Sequence, residues 1–504
     1  MHGRRNHSIH RVTPGAVLLA CILLGTFGAR QVQGQCEIQK FVSPDQFPED
    51  IYGAGVGVHE DIAAIGNYLA YDGLGIVYVY RYDQQSMEWL QEAELNSPEP
   101  DPEAEFGSRL AVHDQCIVVA AGNATGAEPV SGAAYVYRLQ DAEWTCEAKL
   151  MASDGEAGDF FGSSVALDDD LAIVGARDDV VEGVSQAGSA YVFRHVGSQW
   201  TEEAKLTHPG AQVMDLFGQS VAIQGDVALV GAHGVDHEEN GPGSAFVFRR
   251  TDRGWALEQE LRGFDGVGLL RFGYAVSLSG TGSVAAVGAP EDTSQNGAVY
   301  VYRYEHGQWL SEAKLTAADP VGPFPYLGAR VVLSTDGGAI LAGAPWDQEL
   351  GFNSGAAHVF RHDGTQWHET AKLIPSDGGS HAQFGSSLSL SGDIAMIGAP
   401  AGDTGEAYAF AGFSGSDCNG NDQADSCDIF EGVSEDLNAN GIPDECEAIG
   451  DLNGDGIVNV RDLLALLAAW GACDEPCPPA CMGDTNGDCV VNWIDLVTLL
   501  SNWG

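Results

Sequence analysis

Residues 451–462 and 484–495 carry oxygen-bearing side chains at the spacing a hard cation requires. Asp451, Asn453, Asp455, Asn459 and Asp462 stand at positions 1, 3, 5, 9 and 12 of the first stretch, and Ile457 offers its carbonyl at position 7. Asp484, Asn486, Asp488, Val490, Asn492 and Asp495 repeat the set 33 residues later. Oxygens at alternate residues turn a short loop inward around Ca2+, which takes about six to eight such ligands. Gly456 permits the sharp bend at position 6, whereas Cys489 stands there in the second copy. Each loop runs into an apolar stretch, LLALLAAW and LVTLLSNW, whose spacing predicts a short amphipathic helix. Those two apolar faces can bury only against each other. A sparser set lies upstream: Asp417, Asn419, Asn421 and Asp425, then Asp436, Asn438, Asn440 and Asp444. It supports either a second calcium-binding segment or a polar Asn-Gly linker.

Other reactive constellations are scarcer. The long loops of the middle region contain Asp178, Asp179, Asp236 and Glu238, but acids spread over every loop describe a solvated face better than a paired-carboxylate hydrolase. His233, His237 and Glu239 share one loop and are candidate metal ligands without a third anchoring element. No G-x-S-x-G elbow, P-loop or H-E-x-x-H occurs, so the expectation is a protein that is not an enzyme. A net charge of −49 argues against nucleic acid and anionic membrane surfaces as partners.

The elements that position these residues begin after a leader. Arg4, Arg5 and Arg11 precede an apolar run from Ala16 to Phe27, and small residues before Gln35 suit cleavage. Residues 1–34 are therefore read as a secretory signal, and no later stretch is apolar enough to cross a bilayer. Ten of the eleven cysteines follow the signal, which permits disulfides outside the cell.

From residue 35 to about 415 the chain repeats. Gly53, Gly107, Gly162, Gly218, Gly273, Gly328 and Gly385 mark units 54 to 57 residues long. Each unit reads as strands of the type SSVAL, LAIVGA, SAYVF and WTEEAKL. The seventh unit lacks its fourth strand, and CEIQKFVSPDQFPEDIYG at 36–53 matches the missing piece. The expected fold is mainly β: a seven-bladed β-propeller closed by N-terminal strand exchange, followed by a small C-terminal α-helical module. Trp89, Trp144, Trp200, Trp255, Trp309 and Trp367 open the fourth strands and read as one packing residue per blade.

Three resemblances follow from these motifs. The FG that opens five of the seven units, with Gly288-Ala289-Pro290, Gly343-Ala344-Pro345, Gly398-Ala399-Pro400, Gly175-Ala176 and Gly231-Ala232, resembles the FG-GAP repeats of integrin α-subunit propellers and of secreted bacterial proteins. The turn between the first two strands is too short for the integrin calcium loop. Residues 416–448 resemble thrombospondin type 3 calcium repeats. Residues 449–504 resemble a type I dockerin, a pair of EF-hand loops with aspartate at position 12. Val460-Arg461 and Trp493-Ile494 depart from the small hydroxyl residues that dockerins usually present to a cohesin.

Together these resemblances imply a secreted or extracellular protein, free or cell-surface associated, that uses Ca2+ for binding, adhesion or scaffolding. Its propeller would take a protein or glycan ligand on the long-loop face, and its tail would dock a cohesin-like partner. The alternatives are an extracellular polysaccharide-degrading enzyme with a docking tail and a structural surface protein. Cys473, Cys477, Cys481 and Cys489 are expected to staple the tail. Equal counting along the third strands brings Cys36 and Cys418 to one place, a disulfide clasp on the ring; Cys418 with Cys427 is the competing pairing.

Overall fold

A computed structural model describes residues 35–45, 51–235, 242–264, 271–292, 296–402, 405–418, 421, 423–434, 436, 442–443, 446, 460–472 and 490–501. The leader lies outside them. The repeats build seven four-stranded antiparallel sheets, each a blade. Blade 3 is typical, with strands Phe161–Asp168, Leu171–Ala176, Ser189–Val196 and Gln199–Leu206 in spatial order. Its second strand is buried at every position, which explains why LAIVGA is apolar without alternation: a neighbouring blade covers each face. The outer strand meets solvent and alternates accordingly.

The apolar core lies between blades. Blade 4 illustrates it, where Val227, Leu229 and Val247 pack with Val287, Tyr300 and Trp309 of blade 5. Two glycines in six of the seven units make this close approach possible, with Ala120 at the second position in blade 2. Gly398, at the end of the second strand of blade 7, lies against the carbonyl of Gly53 in blade 1, and a Cβ there would collide with that oxygen. Gly53 itself has φ +87°, a conformation that disfavours side chains. The FG and GA signatures are thus the two halves of one contact, repeated around the ring.

The tryptophans pack as the repeat context implied. Trp309 is 3% exposed, and its Nε1 donates to Glu258 of the preceding blade at 3.0 Å. Glu258 also accepts from Arg249 at 2.6 and 3.0 Å. Trp200 with Glu147 and Trp367 with Glu312 repeat the link. Burial raises the Glu258 pKa, but the Arg249 and Trp309 bonds outweigh it and hold the carboxyl below its ordinary 4.5. A depressed carboxyl stabilises the fold above its unfolded pKa and loses that contribution as pH falls through the folded value. Glu258→Gln is therefore expected to cost about 1–3 kcal/mol at neutral pH. Denaturant melts at graded pH check this: the gap from the parent protein should close below the carboxylate range, and a pH-independent gap would refute the assignment.

Ring closure follows the sequence expectation. Cys36–Val42 pairs antiparallel with Glu406–Ala411, completing blade 7 from the N-terminal end of the repeats. Phe41, Tyr52, Tyr78, Met396 and Ala407 pack in one cluster across this seam.

The disulfides correct the expected pairing. Cys36 bonds Cys427, with Cα atoms 5.8 Å apart, and Cys418 bonds Cys446. The chain leaves the sheet after Ala411, and a short helix, Asp425–Phe430, brings Cys427 back against the first strand. There it packs with Ala411, Ala424, Ile38 and Ile394. Cys418 is carried outward by the same turn. Neither Cys36–Cys418 nor Cys418–Cys427 forms. Cys473, Cys477, Cys481 and Cys489 lie outside the described residues.

In the tail, helices Val460–Ala468 and Trp493–Ser501 start three residues before the apolar runs that announced them. Leu466, Leu499 and Val491 form a small shared core with Leu463, Ala469 and Leu496. Among the described residues no helix is long and apolar enough to cross a membrane.

Candidate functional site

The two faces of the ring differ in what they display. In blade 3 the first and second strands are joined by Asp169 and Asp170 alone, whereas 177–188 separate the second from the third. In blade 6 the corresponding long connection is 345–355. The long connections and the starts of the inner strands share one face, since each second strand returns antiparallel to the first.

Carboxylates on this face divide into two kinds. Asp179 is not solvated: it accepts from Ser189 Oγ at 2.5 Å and Tyr191 at 3.2 Å and pairs with Lys205 at 2.7 Å. Asp292 with Tyr300 and Lys314, and Asp347 with Lys372, repeat the arrangement. These buried aspartates tie the long loop down on its own blade. Asp178 lies 3.5 Å from Arg177 and accepts from Gln186 at 3.0 Å. Asp236, His237, Glu238 and Glu239 lie outside the described residues, and the His233 ring meets Tyr274 at 5.2 Å.

An aromatic group missed by sequence reasoning also occupies this face. The Tyr326 and Trp346 rings lie 4.1 Å apart, and the Phe352 ring meets His381 at 5.3 Å. Trp346 is 39% exposed, Phe352 56% and Phe324 44%. The available signal was the set of aromatics Phe324, Tyr326, Trp346 and Phe352 in two long loops close in sequence.

At the axis, a cavity of about 180 Å3 is lined by the inner strands, including Arg109, Arg330, Gln219 and Tyr274. On the opposite face the His59 and His113 rings meet at 4.4 Å, tilted by 38°. Their Nδ1 atoms accept the Asp114 and Asp169 backbone N–H groups, so the pair caps neighbouring turns.

The calcium-type residues are described in part. Asp425 accepts the Cys418 N–H at 2.9 Å, and Asp417 accepts that of Asn421 at 3.1 Å. The Asn421 amide donates to both oxygens of Asp428, a buried carboxylate the spacing did not single out. Asp436 is described; Asn419, Asn438, Asn440 and Asp444 are outside the described residues. The oxygen-rich donor set suits a hard cation.

In the tail loops Asp451, Asn453, Asp455, Ile457, Asn459, Asp484, Asn486 and Asp488 are likewise outside the described residues. Asp462 falls within the first helix. Asn492 Oδ1 accepts the Ile494 N–H at 2.9 Å, and the buried Asp495 accepts that of Asn492 at 2.8 Å. This reciprocal cap starts the second helix. Val490 pairs with Ala472 in a two-stranded ladder, and its carbonyl accepts from Asn492. Trp493, Leu464 and Val460 of the helix pair are exposed at 67, 62 and 56%.

Comparison with known proteins agrees with this architecture. The FG-GAP repeat family matches residues 144–193, 200–248, 255–302 and 367–410. No curated protein matches the chain. Among solved structures, that of Saccharomyces cerevisiae Sqt1 is similar at 12% identity and a TM-score of 0.42, over 75% of this chain and 99% of that one. A likeness of that size carries no functional argument.

Proposed function

We propose that this propeller of FG-GAP repeats is an extracellular binding protein of adhesion or scaffolding type, which takes a protein or glycan ligand on its long-loop face. The carrying observation is the exposure of Phe324, Trp346 and Phe352, with the half-buried Tyr326 ring against Trp346. Large apolar rings exposed together on one face are a feature of recognition surfaces, where they supply contact area at low entropic cost. The blade tryptophans, such as Trp89 and Trp309, are instead packed within the ring.

Calcium binding belongs to the same reading. The segment 416–448 and the two tail loops supply the oxygen donors, and Ca2+ would order both tail loops around their small helical core. The exposed apolar side chains of the two helices form the docking surface for a second, cohesin-like partner. Secretion by way of residues 1–34 completes the proposal.

Binding to an array of glycans and to extracellular proteins of the source, with calcium and with chelator, tests both halves. Trp346→Ala is expected to weaken loop-face binding by about tenfold or more, as an interface anchor does, and to leave chelator-sensitive tail docking unchanged. Equal binding by Trp346→Ala and the parent would overturn the loop-face reading. Tail docking that survives chelator would overturn the calcium reading.

A further inference from the structure

We propose that the channel mouth on the long-loop face binds a compact oxyanion, a carboxylate or sulfate group, between Arg109 and Arg330. This deepens the reading of that face as the ligand face and rests on it.

The chain carries 23 basic against 72 acidic residues, yet two of its arginines, Arg109 and Arg330, line the axial cavity. Arg109 and Arg330 occupy the same place in their blades, two residues after the FG-type glycines Gly107 and Gly328. Blades 2 and 6 stand on opposite sides of a seven-bladed ring, so the two side chains approach one cavity from both sides. Arg177, at the start of the long loop of blade 3, reaches the same rim and donates to Gln219 at 3.3 Å.

Both axial guanidiniums have donors to spare. Arg109 Nη1 donates to the Ser108 carbonyl and Arg330 Nη1 to the Ala329 carbonyl, each at 2.7 Å. Among the described residues neither has another hydrogen-bond acceptor or an ion-pairing carboxylate. A guanidinium offers about five N–H donors in a planar fork suited to oxyanions. Arg330 is also placed over the Tyr274 ring, 6.0 Å from its centroid.

The charges oppose one another as they stand. Burial, with Arg330 next in weight and Arg177 behind, brings the Arg109 pKa down to about 10. Tyr274 and Glu105 act the other way, and Glu105 is engaged with Asn123 at 3.0 Å. Asp178 compensates Arg177 in part. A bound oxyanion would remove the repulsion between Arg109 and Arg330 and satisfy their remaining N–H groups together. The cavity of about 180 Å3 admits a single carboxylate or sulfate group with its immediate attachment. The surrounding negative charge disfavours a polyanion. At physiological salt its field is screened beyond about 8 Å, whereas the contact field of the arginines is not.

The other blades supply the control. Ser164, Ser220 and Ser387 fill the equivalent position, and each donates its hydroxyl to the FG glycine carbonyl of the next blade. Arg109→Ser and Arg330→Ser therefore install the side chain this fold already uses there. Full-length mature protein is titrated calorimetrically with sodium sulfate, sodium acetate and sodium glucuronate, against sodium chloride at equal ionic strength. The parent is expected to bind sulfate or a carboxylate at one site, and each variant to bind it about tenfold or more weakly. Sulfate preference marks a sulfated ligand, glucuronate or acetate preference a carboxylated one, and either supports the site. No heat of binding in the parent, or equal binding by Arg109→Ser/Arg330→Ser, overturns it. If that double variant also binds the loop-face ligand as the parent does, the loop-face reading stands and only the anion site falls.

Discussion

A chain lacking residues 36–42 is expected to lose its monomeric fold. Six residue pairs join this strand to Glu406–Ala411, from Cys36 with Ala411 to Val42 with Glu406. Without it the third strand of blade 7 presents a long apolar edge, AYAFA, of the kind that pairs with other chains. The loss also exposes the cavity left by Phe41, 3% exposed and edge-on to Tyr80 at 4.9 Å. Lys40 leaves Glu406 and Asp377 without their shared cation.

Removing one buried aromatic alone costs about 3–5 kcal/mol, and the stability of a domain is on the order of 5–15 kcal/mol. Light scattering after size exclusion should therefore show aggregates, and calorimetry should show no cooperative transition. A synthetic peptide of residues 35–44 should restore part of the monomer by filling the same edge. Truncation after residue 448 should leave the ring transition nearly unchanged. A monomer that melts within about 5 °C of the parent after loss of residues 36–42 would refute the closure.

How much of this was legible depended on whether a feature repeats. FG and GA recur in most units, so one close contact, Gly398 on Gly53, writes itself into the sequence around nearly the whole ring. The missing fourth strand was visible for the same reason, because its replacement at residues 36–42 carries the pattern of the others. Asp179 misled because a carboxylate in a long loop looks solvated; its partner Lys205 is on the outer strand, and only folding brings the two to 2.7 Å.

Arg109 and Arg330 were invisible for a different reason. Each is a single departure from a repeat, and only closure of the ring places the two departures on one cavity. The partner of Cys36 was misassigned because counting along strands holds only while the chain stays in the sheet. After Ala411 a turn and a helix change the direction, and the count no longer measures distance.

That disulfide carries the second large expectation. Replacing Cys36 and Cys427 by serine is expected to lower Tm while leaving the blades intact. The two residues are 391 apart in sequence, so the bond closes nearly the whole propeller into one loop. In the chain-entropy view such a cross-link restricts the unfolded ensemble and contributes about 2–5 kcal/mol. It also holds strand Cys36–Val42 in register at the end where pairing is irregular, between Glu37 and Gln39. A loss of that size corresponds to a fall of roughly 4–10 °C. The unfolding rate should rise as well, because blade 7 can then open from its outer strand.

Reducing agent supplies an independent route to the same state. It should bring the parent down to the double variant and leave the ring of the variant unaffected. The Cys418–Cys446 bond spans 28 residues and ties only the segment beyond the ring, so Cys418→Ser/Cys446→Ser should shift the ring transition far less. Cys116 and Cys146 are free thiols, and serine at the exposed Cys146 removes the accessible route to exchange during the measurement. Unchanged melting of the Cys36/Cys427 variant, or peptide mapping that finds Cys36 as a free thiol, would show that hydrogen bonding and packing of the first strand close the ring without the bond.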